Sequence, residues 1–266
     1  MARGYDYGPL MEIDRTTARV ALVTGGAGGI GREICFALAE AGRRIAVADI
    51  RADGADDTAE RIRSNGGQAT AVTIDITRTD DVREACARVA AELGPIEILV
   101  NGAGWDRFEK FVDTDEDFWN RIIDINFTSV LRTTHACVPS MIERGWGRIV
   151  NIASDAGRVG SSLEAVYSGA KGGTIAFTKT LAREVARKGV TANVVCPGPT
   201  ETPLLTEMAT AKDDSDRMIA AMAGATAMKR LGQPHEIAPA VVYFASEEAG
   251  FTTGQTLSVS GGLTMA

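Results

Sequence analysis

Tyr167 and Lys171 stand four residues apart in VYSGAKGG, and Ser154 lies thirteen residues upstream in NIASDAG. On a helix, positions i and i+4 share a face, so the ammonium can sit close enough to the phenol to favour its ionised form. A tyrosine ordinarily ionises near pH 10. Lowering that by ~3 units takes roughly 4 kcal/mol of differential stabilisation, within reach of one close cation in a partly desolvated site aided by a nearby positive ring. The expected chemistry is proton transfer by a phenol made basic near neutrality. A tyrosine and a lysine at this spacing also occur on many helix surfaces with no chemistry, so the pair depends on the elements that carry it.

Those elements alternate along the whole chain. VALVTGG, RIAVADI, QATAVTIDI, IEILVNGAG, GRIVNIAS and VTANVVCPG read as near-continuous apolar strands, each followed by a turn signal. Between them, REICFALAEAG and DDVREACARVAAELG carry helical periodicity and end at glycine. Strand and helix in alternation predict an α/β fold: a doubly wound parallel sheet covered on both faces, in one domain over 18–266. QTLSVSGG adds an edge strand. Residues 1–17 read as a polar, mobile lead-in, and residues 200–230, with ETPLLTEMATAKDDSDRM, read as a movable lid over a substrate.

The first strand-to-helix turn, TGGAGGIG over Thr24–Gly31, is where backbone amides and a helix N-terminus can meet a pyrophosphate. Gly25, Gly28, Gly29, Ile30 and Gly31 are the candidates there. Asp49 ends the next strand, eighteen residues past Gly31, where a carboxylate can bond the adenosine ribose hydroxyls and repel a 2′-phosphate. Gly28 in place of a basic residue and Ile50 after the aspartate favour NAD over NADP. Arg51 tempers this, because it can swing toward a phosphate.

The net charge of -7 and pI near 5.0 argue against a general nucleic-acid surface. No apolar run approaches a membrane span, and MARGYDYGPLMEIDRTTARV lacks the apolar stretch of a signal peptide. The expected location is the cytoplasm. Cys35, Cys86, Cys137 and Cys196 read as reduced core residues, and His135 and His235 lie far apart, so no metal site is expected.

From about residue 18 to the C-terminus the chain resembles the short-chain dehydrogenase/reductase family. The resemblance rests on TGGAGGIG, Asp49, Asp75, NGAG at 101–104, Asn126, Ser154, Tyr167 with Lys171, and PGPTET at 197–202, in that order. The short C-terminal region resembles the single-domain branch. The resemblance implies that Tyr167 is the general acid/base of a hydride transfer to or from nicotinamide. It makes Lys171 the group that lowers the phenol's pKa and holds the nicotinamide ribose, and Ser154 a donor to the substrate oxygen. Asn126 is similar to the family residue that holds a water linking Lys171 to solvent; its other reading is purely structural. Asp75 and Ile76 would edge the adenine, and Asn101, Gly102 and Ala103 the adenosine ribose. Pro197, Gly198, Thr200 and Thr202 would meet the carboxamide and phosphates. Gly102 departs from the family's usual second asparagine, which implies weaker side-chain support of that strand end. The family's usual homotetramer is the expected assembly.

Within the family, NGAGWD, SDAGRVGSSLEAVYSGAKGG, VVCPGPTETPLL and TGQTLSVSGGLTM are similar to the 2-hydroxycyclohexanecarboxyl-CoA dehydrogenases. The implied substrate is a small molecule, a cyclic β-hydroxyacyl-CoA thioester. Trp105 would form an apolar wall or anchor a loop, and Arg158 would meet the thioester or a CoA phosphate or stay a solvent-facing charge. The rivals are a 3-oxoacyl-carrier-protein reductase, a dehydrogenase of a free cyclic alcohol or steroid, and a non-catalytic nucleotide-binding regulator.

Overall fold

Runs of valine, isoleucine and small apolar residues become seven parallel strands: β1 (Val20–Thr24), β2 (Arg44–Asp49), β3 (Gln68–Thr73), β4 (Ile96–Asn101), β5 (Gly147–Ile152), β6 (Val190–Pro197) and β7 (Thr256–Val259). The structure, a computed structural model, describes residues 18–210 and 214–265. The expected mobile lead-in over 1–17 lies outside the described residues, as do positions 211–213 of the expected lid. The sheet order is β3-β2-β1-β4-β5-β6-β7. All six pairings are parallel, including that of the edge strand β7 on β6.

Helices cover both faces because alternate strand residues point to opposite sides. On one face Leu22, Leu99 and Ile149 pack with Val82 and Val89 of α3 (Thr79–Glu92), Cys137 and Met141 of α5 (Ser129–Arg144), and Leu181 and Val185 of α7 (Ala165–Val185). On the other, Val23, Val47, Val100 and Val150 meet Ile34 and Leu38 of α1 (Gly29–Glu40) and Ile62 of α2 (Ala52–Ser64). Ile237, Val241 and Phe244 of α10 (Pro234–Phe244) complete that layer. Each fully buried side chain of this kind contributes roughly 1.5–3 kcal/mol, so both layers hold the strand ends firmly.

Two features place the site. The chain runs from β1 outward to β3 in one direction and from β4 to β7 in the other, which opens a crevice at the strands' C-terminal ends between β1 and β4. The second is a turn of π-helix at Asp124–Thr128, between α4 (Glu116–Ile123) and α5, with Asn126 at its centre. Such turns disrupt the regular carbonyl ladder and cluster at functional sites. The segment over 200–230 forms α8 (Pro203–Thr210) and α9 (Ser215–Ala225). The short α6 (Ala156–Val159) follows Ser154.

Candidate active site

The crevice is a cleft of about 830 Å³. At one end the loop after β1 leaves its backbone bare. Gly25 has φ +75°, and a Cβ there would come within 2.8 Å of Ala103 Cα; a Cβ on Gly31 would sit 2.1 Å from the Gly25 carbonyl oxygen. Only glycine allows both approaches. Thr24 Oγ1 accepts from the amides of Gly102 (3.1 Å) and Ala103 (3.3 Å), tying the ends of β1 and β4 together. A Cβ on Gly102 would meet the Thr24 carbonyl oxygen at 2.8 Å, so support at this strand end comes from Thr24.

Asp49 closes the same end. Its Oδ2 accepts from the Ala27 amide and its Oδ1 from the Arg51 amide, both at 3.0 Å. The Arg51 guanidinium lies 3.7 Å from Asp49 and leans over Gly28, where a Cβ would meet it at 3.0 Å. Asp75 Oδ1 accepts from the amide and hydroxyl of Thr77. Gly28, Gly29, Ile30, Ile50, Ile76, Pro197, Gly198, Thr200 and Thr202 also line the cleft. Thr202 Oγ1 accepts from the Leu205 amide in the first turn of α8. The residues fit a dinucleotide: a bare loop meets the N-terminus of α1, whose first turn carries no acidic side chain, and two carboxylates stand at the adjoining strand ends.

At the other end α7 brings Tyr167 and Lys171 to one face, beside Ser154 at the end of β5. Lys171 is buried; its Nζ donates to the Ile152 carbonyl at 2.9 Å and lies 5.6 Å from the centre of the Tyr167 ring. Tyr167 hydrogen-bonds with Ser154, whose Oγ also accepts from the Ala156 amide at 3.1 Å. Burial, then the carboxyl groups of Glu164 and Asp106, push the Tyr167 phenol up, while burial pulls Lys171 down to about 8. Desolvation outweighs the attraction within the pair.

Three sequence candidates do not face the cleft. Asn101 is buried, with Nδ2 donating to Asn151 (2.8 Å) and Thr134 (3.3 Å) and Oδ1 accepting from Thr133 (2.7 Å), so its side chain braces β4 rather than a ribose. Asn126 is fully buried; Nδ2 donates to the carbonyls of Trp105 and Ile122, and Oδ1 accepts from the Trp105 amide. Its side chain thus fixes the loop after β4, while its carbonyl accepts from Thr174 at 3.2 Å. Arg158 turns away, Nη1 donating to Ser258 on β7 at 2.6 Å; Ser258 in turn donates to Asp155. Its guanidinium is held against β7 and is not a free surface charge. Trp105 does line the cleft, with the Arg121 guanidinium 3.7 Å from its ring centre.

Sequence reading missed an acid pair. Asp106, next to Trp105, and Glu164, the residue just before α7, line the cleft beside Tyr167 with their carboxyl groups against each other. Asp106 is 4% exposed, and no donor reaches its Oδ2. Burial, then Glu164, push Asp106 up to about 8. Leu163, in the left-handed region at φ +68°, accepts from the Glu109 amide at 2.9 Å and so joins the two loops that carry the pair. The one available signal was the spacing of Glu164, one helical turn before Tyr167. Among the described residues no group of three or more His, Cys, Asp or Glu could hold a metal ion, and no helix is long and apolar enough to cross a membrane.

A doubly wound sheet with a bare phosphate loop and a Ser, Tyr, Lys constellation defines a dinucleotide-dependent oxidoreductase. The short chain dehydrogenase profile matches residues 19–213. The chain is 42% identical to the acetoacetyl-CoA reductase of Shinella zoogloeoides, over 92% of this chain and 98% of that one. It is 38% identical to the 3-oxoacyl-[acyl-carrier-protein] reductase of Vibrio cholerae, over 93% and 98%. A crystal structure of an actinorhodin polyketide ketoreductase variant with NADPH superposes with a TM-score of 0.88 at 34% identity, covering 93% and 98%. The chain belongs to the short-chain dehydrogenase/reductase family and is an oxidoreductase of CH–OH and keto groups.

Proposed function

We propose that the protein interconverts a β-oxoacyl thioester and its β-hydroxyacyl product, with a nicotinamide dinucleotide supplying or accepting the hydride. The observation that carries this reading is the Tyr167–Ser154 hydrogen bond beside buried Lys171, at the far end of a cleft that begins in the phosphate loop. The names of the relatives support the thioester, since one acts on acetoacetyl-CoA and another on a 3-oxoacyl carrier protein. Tyr167 exchanges the proton at the substrate oxygen, and Ser154 donates a hydrogen bond to it. A phenol pushed up by burial is protonated at neutral pH, the state needed to reduce a ketone. Lys171 holds the nicotinamide ribose, and Asn126 keeps the Trp105 loop in place. Leu204, Leu205 and Met208 of α8 and Met222 of α9 line the cleft, which suits them to the role of a lid.

Two finer choices rest on single observations. The Asp49 carboxylate at the ribose position favours NAD, while the Arg51 guanidinium over Gly28 favours NADP; a buried carboxylate already held by two amides is the stronger determinant, and NAD is the reading adopted. The relatives favour a straight acyl chain, and Trp105 on the wall favours a ring such as that of 2-hydroxycyclohexanecarboxyl-CoA. Rates followed by absorbance of the reduced nicotinamide, with both dinucleotides and with acetoacetyl-CoA, the ring thioester and free cyclic alcohols, separate these readings. Turnover of free alcohols alone rejects the thioester. Tyr167→Phe is expected to lower kcat by about 10²–10⁴ with dinucleotide affinity unchanged; a loss under tenfold removes Tyr167 from the proton transfer.

A further inference from the structure

We propose that Asp106 and Glu164 form an acid pair that selects substrates uncharged beside the reacting carbon, admitting an ester or thioester and turning away the free carboxylate. This deepens the reading above and rests on it. Asp106 and Glu164 lie against Tyr167, so a group beside a carbonyl bonded to Tyr167 and Ser154 would come under their field. Two buried carboxyl groups against each other do not both ionise readily, so the pair keeps a proton and carries about one negative charge at most near neutrality.

Lys171, whose Nζ donates to the Ile152 carbonyl, offsets only part of the pair's charge, since burial and Glu164 still hold Asp106 raised against it. The carboxyl groups of Glu164 and Asp106 are the leading charges acting on the Tyr167 hydroxyl, and both act to disfavour a negative oxygen there. A carboxylate one or two bonds from the reacting carbon would enter the same field. A thioester carbonyl carries no charge and leaves the pair's proton in place. The lack of any donor to buried Asp106 Oδ2 is consistent with a pair that holds its own proton.

The test compares ethyl 3-oxobutanoate with 3-oxobutanoate, which differ at the ester and in charge and need no CoA. For the unaltered protein the expected preference in kcat/KM for the ester is at least 100-fold. In Asp106→Asn and in Glu164→Gln that ratio should narrow by tenfold or more, chiefly through better use of the free acid. An unchanged ratio in both variants overturns the proposal, whatever happens to absolute rates, because a merely structural loss lowers both substrates together. If neither compound is turned over, the thioester reading stands or falls on the acyl-CoA assay above, and the selection is read from binding. Quenching of tryptophan fluorescence by the two compounds, with dinucleotide present, must show the same preference and the same narrowing, and equal binding in the unaltered protein overturns the proposal.

Discussion

At the dinucleotide end of the cleft the chain offers backbone, and at the substrate end it offers side chains brought from separate segments. Gly25 and Gly31 are there because any larger residue would strike main-chain atoms, and Asp49 is fixed by two amides. The substrate end assembles Asp106 from the loop after β4, Ser154 from the end of β5, Glu164 from the residue before α7, and Tyr167 and Lys171 from α7. Its titratable groups lie close together in low dielectric, and Asp106, Glu164, Tyr167 and Lys171 are all shifted, with burial the leading cause in each. Steric rules therefore govern one end and desolvation the other. The first kind of constraint tolerates no change in shape, and the second is sensitive to pH.

The largest expected effect tests the steric end. Gly31→Ala places a Cβ where the Gly25 carbonyl oxygen already stands, so the loop must shift. Overpacking of this kind costs about 1–3 kcal/mol of stability, and a displaced loop is expected to weaken dinucleotide binding by about 10²-fold. Thermal unfolding and a dinucleotide titration read the two effects separately. Unchanged affinity would show that the loop yields easily, and the contrast between the two ends would collapse.

The substrate end is sharpened by pH. Asp106 is raised to about 8 from the ordinary carboxylate range near 3.9, so the folded chain binds an extra proton between those values. The sign follows: this stabilisation is complete below about pH 4 and is lost as pH rises through about 8. Asp106→Asn removes the dependence. Relative to the unaltered protein, its urea stability should improve by about 1–3 kcal/mol on going from pH 5 to pH 8, the size of a buried polar desolvation. Parallel stability curves across that range would mean that the pair carries no extra proton.

The same contrast explains what could be read from residue order. The strands were legible because a sheet buried on both faces demands near-continuous apolar runs, and the loop was legible because only glycine satisfies its close approaches. Tyr167 and Lys171 were legible from helical spacing. The setting of that phenol was not: burial and the carboxyls of Glu164 and Asp106, which push it up, come from packing that helical spacing does not reveal. Asn101 was assigned to the ribose because motif order does not say which way a strand-end side chain points, and it points to Asn151 and Thr133. Asp106 went unseen because its character is set by burial and then by Glu164, which is distant in sequence and adjacent only after α7 docks on the sheet.

Arg158 gives the smallest effect and the finest division between the two ends. As a substrate or CoA contact, its removal would raise KM and leave stability nearly untouched. The structure instead makes it the outer member of a chain from Arg158 to Ser258 to buried Asp155, the neighbour of Ser154. Arg158→Ala should therefore cost about 1.5–3 kcal/mol, the worth of a hydrogen bond from a charged group, and leave KM for a CoA thioester within about twofold. A modest fall in kcat is compatible with this, because Asp155 and Ser154 share a turn whose backbone is tied to β6 through Asp155 N and the Pro197 carbonyl. A tenfold rise in KM with unaltered stability would return Arg158 to the substrate and extend the side-chain-built end of the cleft beyond α7.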